Sequence, residues 1–233
     1  MKNMKTTILS AALTGCMLLA GTAQASYGTV DATLNSVTPT ADNGGAFNFT
    51  RTGGTFGGTL VSNSPVGKFI GICLDAFETI GVPSSHTWTV VDVAAAPIDT
   101  GPIMGAAAAA NVGRLITRAL GGNLANLSSL TSAQVGALQL AIWEVVNDDD
   151  VGYDFGSGAY KNTTSANVAG ALVLLDGTLG SYAVATNLFA MVNRDTQDFL
   201  VQVVPIPAAA WLLGSGLLGL FGLARRKTAV ATA

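Results

Sequence analysis

The stretch ALQLAIWEVVNDDD, residues 137–150, decides whether the middle of the chain is helix or strand. Stepped at about 100° per residue, Val135, Leu138, Ile142, Val145 and Val146 fall on one arc, and Gln139 falls inside that arc between Val146 and Trp143. This is helical period and not alternation. Thr131 and Gln134 stand at the spacing of a capping box, which predicts a helix over 131–147. Its buried face therefore carries an uncharged amide. The acidic run Asn147-Asp148-Asp149-Asp150 then ends the helix against its own dipole.

On the N-terminal side, GAAAAANVGRLITRALG (105–121) predicts another helix, stopped by Gly121 and Gly122. Two further Ala/Leu segments, 165–175 and 181–193, read as helical. The first half differs. TVDATLNSV (29–37), AFNFTRTGGTFGGTLVS (46–62), GKFIGICLDAF (67–77) and HTWTVVDV (86–93) are rich in β-branched and aromatic residues and are broken by Gly, Asn, Ser and Pro. Thr52-Gly53-Gly54 is placed to close a hairpin, and QDFLVQVV (197–204) returns to strand. Strands, helices, strand predicts an α+β domain: an antiparallel β-sheet or sandwich with a helical insert at one end, and Cys73 on or at the end of a strand.

Both ends of the chain carry export signals. Residues 1–25 have Lys2 and Lys5, an apolar run from Ile8 to Ala20 and the small-residue site Ala23-Gln24-Ala25, the pattern of a secretory signal peptide cleaved before Ser26. LTGC, ending at Cys16, is similar to a lipoprotein box, but apolar MLLAG follows it and the small-residue site comes later. At the other end, Ala208 to Ala224 is uncharged and apolar or small, 17 residues, or roughly 25 Å of helix. Arg225, Arg226 and Lys227 follow, so the segment reads as a short membrane span with its basic cluster on the cytoplasmic side. Pro205 and Pro207 separate it from the last strand. The organisation expected is signal peptide 1–25, one domain 26–204, a sorting segment 205–227 and a tail 228–233.

All 14 acidic residues lie in 26–204, against six basic ones (Arg51, Lys68, Arg114, Arg118, Lys161, Arg194), so 6 − 14 gives −8. Nucleic acid is thereby an unsuitable partner. Cys16 leaves with the signal peptide and Cys73 stays as a single thiol in an oxidising compartment. It is left to an intermolecular disulfide, an inert burial, or a bond to something else. His86 is the only histidine, and no nucleophile-elbow motif accompanies it, so a hydrolase lacks a site. The acidic run with Asp154 does not have the spacing of a calcium loop and reads first as a solvated turn. No cofactor or metal is expected.

The order Val204-Pro205-Ile206-Pro207, small apolar run with Trp, glycine-rich helix and basic cluster resembles a PEP-CTERM sorting signal, above all its VPLPA-type variant. Ile206 stands where Glu is usual, and six residues follow the cluster, which puts the processing site in doubt. The resemblance implies a chain exported by the Sec pathway, held in the inner membrane by its C-terminal helix, then cut by an exosortase-type protease and delivered to the cell surface or extracellular matrix. A plain membrane anchor is the simpler alternative.

A second resemblance covers residues 66–150. GICLD around Cys73 and QLAIW from Gln139 to Trp143 are similar to the two signature segments of the thioester domains of bacterial surface adhesins. Gln139, Ala141, Ile142 and Trp143 match the helix position by position; Ile72 stands where an aromatic residue or Leu is common. The resemblance implies an internal thioester between Cys73 and Gln139, shielded by Trp143 and Ile142, that attaches covalently to protein amines or an extracellular polysaccharide. Such a protein reacts once and is not an enzyme. The same residues also fit a buried, hydrogen-bonded Gln and an inert buried thiol, and hence a structural exopolysaccharide or biofilm-matrix protein of the same fold without a thioester.

Overall fold

Alternation builds the first strand: in GTVDATLNSVTPTA, Val30, Ala32 and Leu34 are buried while Thr29, Asp31 and Thr33 are partly exposed, the period of a half-buried strand. The computed structural model describes residues 26–41, 44–62, 67–97, 103–148 and 152–204. The signal peptide and the segment from Pro205 onward, with Ile206, Pro207, Arg225, Arg226 and Lys227, lie outside the described residues. Six strands are formed: β1 Gly28–Ala41, β2 Gly44–Gly53, β3 Lys68–Cys73, β4 Ser84–Val91, β5 Leu188–Val192 and β6 Phe199–Gln202. Three α-helices, α1 Gly105–Leu120, α2 Ser132–Asp148 and α3 Val168–Leu174, are inserted between β4 and β5.

The sheet is antiparallel throughout and closes into a barrel in the order β1-β2-β3-β6-β5-β4. The expected sheet or sandwich is thus a barrel. Closure pairs every strand on both sides and removes the edges that an open sheet leaves. Inside it, Phe49 stacks on Phe69 with centroids 4.9 Å apart and meets Trp88 and Phe199 edge-on at 5.6 and 5.0 Å. Rings buried this completely stabilise the fold by about 2 kcal/mol apiece. The indole N–H of Trp88 donates to Gln197 O at 3.2 Å, so the interior indole is satisfied.

Two local readings change. The 181–193 segment is a strand over Leu188–Val192, not a helix. Ala190 faces Val91 on one side and Leu200 on the other; LFAMV has no period that separates helix from strand, and pairing with both neighbours to close the barrel decides it. Thr52-Gly53-Gly54 does not close a hairpin. β2 ends at Gly53, and its partners are β1 and β3. Arg51 holds the departing chain as a loop, donating to Gly53 O at 3.0 Å, to Gly58 O at 3.1 Å and to Phe56 O. Gly54, at φ +100°, lies so close to the Thr29 carbonyl that a Cβ would sit 2.2 Å from its oxygen, which leaves no side chain tolerable there.

The helices pack on one another, with α2 in contact with both α1 and α3. α1 buries one face (Val112, Leu115, Ile116, Leu120) and stops where Gly121 turns left-handed at φ 65°, its N–H returning to Thr117 O. α2 is different: from Val135 to Val146 every residue is buried, as expected of a helix with neighbours all round. It contacts β1 and β2 on the barrel side and α1 and α3 on the other. Its capping box forms, with Gln134 N donating to Thr131 Oγ1 at 3.3 Å and Thr131 N to Gln134 Oε1 at 2.9 Å. The barrel end that α2 covers is where β1 finishes, β2 begins, β3 finishes and β6 begins.

Candidate functional site

Cys73 is the last residue of β3, directly opposite Phe199 of β6. Phe69 and Cys73 lie four residues apart on one strand, hence on one face, which puts the thiol at the rim of the barrel interior. It is fully buried. The next residue is tied to β6 by Leu74 N donating to Asp198 O at 2.8 Å. The sulfur donates to Asp75 O at 2.9 Å. Burial pushes the thiol well above its ordinary pKa; backbone hydrogen bonding at Asp75 and the Trp143 indole pull the other way without offsetting it, and the charges of Asp75 and Asp198 add to the rise. The thiol is therefore neutral at ordinary pH.

Gln139 reaches this rim from the middle of α2. Its Nε2 donates to the backbone oxygen of Cys73 itself at 2.7 Å, bridging 66 positions of sequence. The carbonyl oxygen, Oε1, is buried and accepts no hydrogen bond among the described residues. That is costly: an unsatisfied buried carbonyl loses about 1–3 kcal/mol. On its open side stands Gly44, the first residue of β2, where a Cβ would come within 3.1 Å of Gln139 Cγ and Oε1. The carboxamide is thus clamped between the end of one strand and the start of another.

Trp143 follows one turn later on the same side of α2 and is 8% exposed. Its Nε1–H is buried and has no acceptor within hydrogen-bond geometry among the described residues, yet it lies near enough to the Cys73 sulfur to favour the ionised thiol. The outer face of the indole meets Tyr160 at 5.7 Å, which in turn meets Phe155 at 6.3 Å. Ile142 is fully buried in the core that also encloses Cys73.

Acidic residues in the last turns of α2 and just beyond it organise the loop that carries Tyr160. Asp148 is buried, and its two oxygens accept from Ala159 N at 2.6 Å and Tyr160 N at 2.7 Å. Glu144 Oε1 accepts from Asp154 N at 2.8 Å, and its carboxyl is pushed up to about 7, first by burial. Asp154 caps Gly156 and Ser157. Asp149 and Asp150 lie outside the described residues, and the expected solvated turn is, at Asp148, a buried anchor. Its oxygens, like those of Asp154, serve backbone N–H groups, and among the described residues no three His, Cys, Asp or Glu side chains are grouped to hold a metal ion.

Asp75 lies two residues from Cys73 and His86 is the one histidine of the chain, and their side chains do different work. Asp75 Oδ1 accepts from Phe77 N at 2.8 Å. His86, on β4, pairs with Ala32 of β1 and lies edge-on against Trp88 at 5.4 Å. Val204, at the start of the sorting motif, is exposed and donates its N–H to Thr59 O at 2.8 Å. Two features have no signal in the sequence: the glycine that faces the carboxamide and the orphaned indole N–H. Both depend on which segments the barrel brings together.

Chemically, a buried thiol and a primary carboxamide that is hydrogen-bonded to the backbone of the same cysteine can exchange nitrogen for sulfur once sulfur and Cδ come within reach. Compared with protein-family models, with curated proteins and with solved structures, the chain matches none.

Proposed function

We propose that the domain is a thioester domain of an exported surface or matrix protein, in which Cys73 and Gln139 form an internal thioester that attaches the protein covalently to an amine or hydroxyl outside the cell. The observation that carries this is the hydrogen bond from Gln139 Nε2 to Cys73 O at 2.7 Å, with the buried carboxamide oxygen accepting none among the described residues. In the reaction the Cys73 sulfur bonds to Gln139 Cδ, the Cδ–Nε2 bond breaks, and the thiol proton leaves on nitrogen as ammonia. The hydrogen bond holds the leaving nitrogen against the residue that attacks. Full burial keeps water from the product, and the loop with Tyr160 covers Trp143 from outside. A protein amine or a hydroxyl of an extracellular polysaccharide then takes the acyl group once. Delivery rests on the two end signals: Sec export at 1–25, and cutting near Val204-Pro205-Ile206-Pro207 by an exosortase-type protease after arrest at Arg225, Arg226 and Lys227.

Intact mass spectrometry of the exported protein tests both parts. The expected mass is one ammonia below the sequence mass, restored by Cys73→Ala or Gln139→Ala once the substitution is counted, and raised by one methylamine adduct after treatment. A full mass with an alkylatable Cys73 removes the thioester and leaves a non-covalent matrix protein. A C-terminus still at Ala233 removes the sorting step.

A further inference from the structure

Two polar atoms at the site are buried without partners among the described residues, and they are complementary: Gln139 Oε1 is an acceptor and Trp143 Nε1–H is a donor. They lie one turn apart on the same face of α2. Buried polar groups are rarely left unpaired, and two at one reacting centre call for an explanation in the chemistry. The carboxamide is held through its nitrogen by Cys73 O, so attack on Cδ drives negative charge onto the atom that nothing stabilises in the resting state. Gly44 leaves the space around Oε1 free of a side chain. The unpaired donor one turn away on α2 is the Trp143 indole, which also lies near the Cys73 sulfur.

We propose that Trp143 is a catalytic residue and not only a cover: its Nε1–H donates to Gln139 Oε1 when the tetrahedral adduct forms, both as the thioester closes and as an amine opens it. The proposal rests on the thioester reading. In closing, the Sγ–Cδ bond forms as the carbonyl pair moves onto Oε1; the pair returns as Cδ–Nε2 breaks, and the thiol proton departs with nitrogen as ammonia. In opening, the amine nitrogen bonds to Cδ, charge again builds on Oε1, Cδ–Sγ breaks, and the amine proton ends on sulfur. A donor placed at an oxyanion is worth roughly 10²-fold or more in rate. The neutral thiol makes such help more necessary, because a thiol kept protonated by burial is a poor nucleophile.

The full-length chain is compared with Trp143→Phe and with a chain carrying benzothienylalanine at 143, which keeps the indole outline and lacks the N–H. The readouts are the fraction showing the ammonia deficit and the rate of opening by methylamine. An oxyanion donor predicts that both replacements lower the fraction closed and slow methylamine opening by roughly 10²-fold. A cover alone predicts the opposite sign: Phe admits more nucleophile and speeds opening, and benzothienylalanine leaves it unchanged. Equal or faster opening in the benzothienylalanine protein overturns the proposal, and that protein decides the matter if Trp143→Phe fails to fold. A wild-type chain without the ammonia deficit sinks the thioester reading itself, and the donor role with it.

Discussion

Among the described residues the Gln139 side chain makes one hydrogen bond, to Cys73 O, and its oxygen accepts none. An amide on an apolar helix face was visible in QLAIW; its partner was visible only as the one cysteine of residues 26–204. That the two meet follows from the last residue of β3 and the middle of α2 converging at one end of the barrel. Gly44 was not legible at all, since its role is to be absent as a side chain. It holds φ +125°, and a Cβ would press on Gln139 Cγ and Oε1 at 3.1 Å. Gly44→Ala is therefore expected to destabilise the domain by about 1–3 kcal/mol through backbone strain and to reduce the fraction of chains with the ammonia deficit. A melting curve and an intact mass check it, and an unchanged fraction would show that the carboxamide is positioned without this contact.

At the level of elements, α2 and the loop after it behave as a unit. Glu144 and Asp148 on α2 hold the backbone of 154–160, which carries Tyr160 onto Trp143. This makes the cover pH-dependent. The Glu144 carboxyl is raised by burial from 4.5 to about 7, so between those values the folded chain holds a proton that the unfolded chain releases. Stability is then greatest below about 5, falls as the pH rises toward 7, and is level above it. The carboxyls of Asp154 and Asp176 run the other way, lowered from 3.8 by Ser157 and by Arg118. Their contribution is present above that value and is lost as the pH falls below it. Thermal melts from pH 4 to 8 should thus peak near pH 5, and Glu144→Gln should flatten the descent toward pH 7. A wild-type profile that rises from pH 5 to 7 would show that Glu144 is not held in this way. α2 and its capping box were legible because a long period with a cap is a local signal; Asp148 as a buried anchor was not, because its acceptor role needs residues 11 and 12 positions away.

For the molecule as a whole, a bond from Cys73 to Gln139 would tie the barrel to the helical insert. By the chain-entropy estimate used for cross-links, closing a loop of 66 residues stabilises by about 4 kcal/mol. At roughly 2–4 °C per kcal/mol for a domain of this size, methylamine opening should lower the melting temperature by about 10 °C, and Gln139→Ala, which never closes, should not respond to methylamine. An equal response in that variant would locate the effect elsewhere. The division between what was read and what had to be seen follows from range. Sequence alone placed the first four strands, α1, α2 with its cap and the last strand, and it singled out Cys73, Gln139 and the two ends of the chain, because periodicity, capping and charge runs are properties of neighbours in the chain. Only the tertiary structure decided that the sheet closes into a barrel, that LFAMV is its fifth strand, and that Gly44, Trp143 and Cys73 surround one carboxamide. Those depend on pairings between distant segments, whose free energy is set by mutual burial and hydrogen bonding and leaves no periodic trace in either partner.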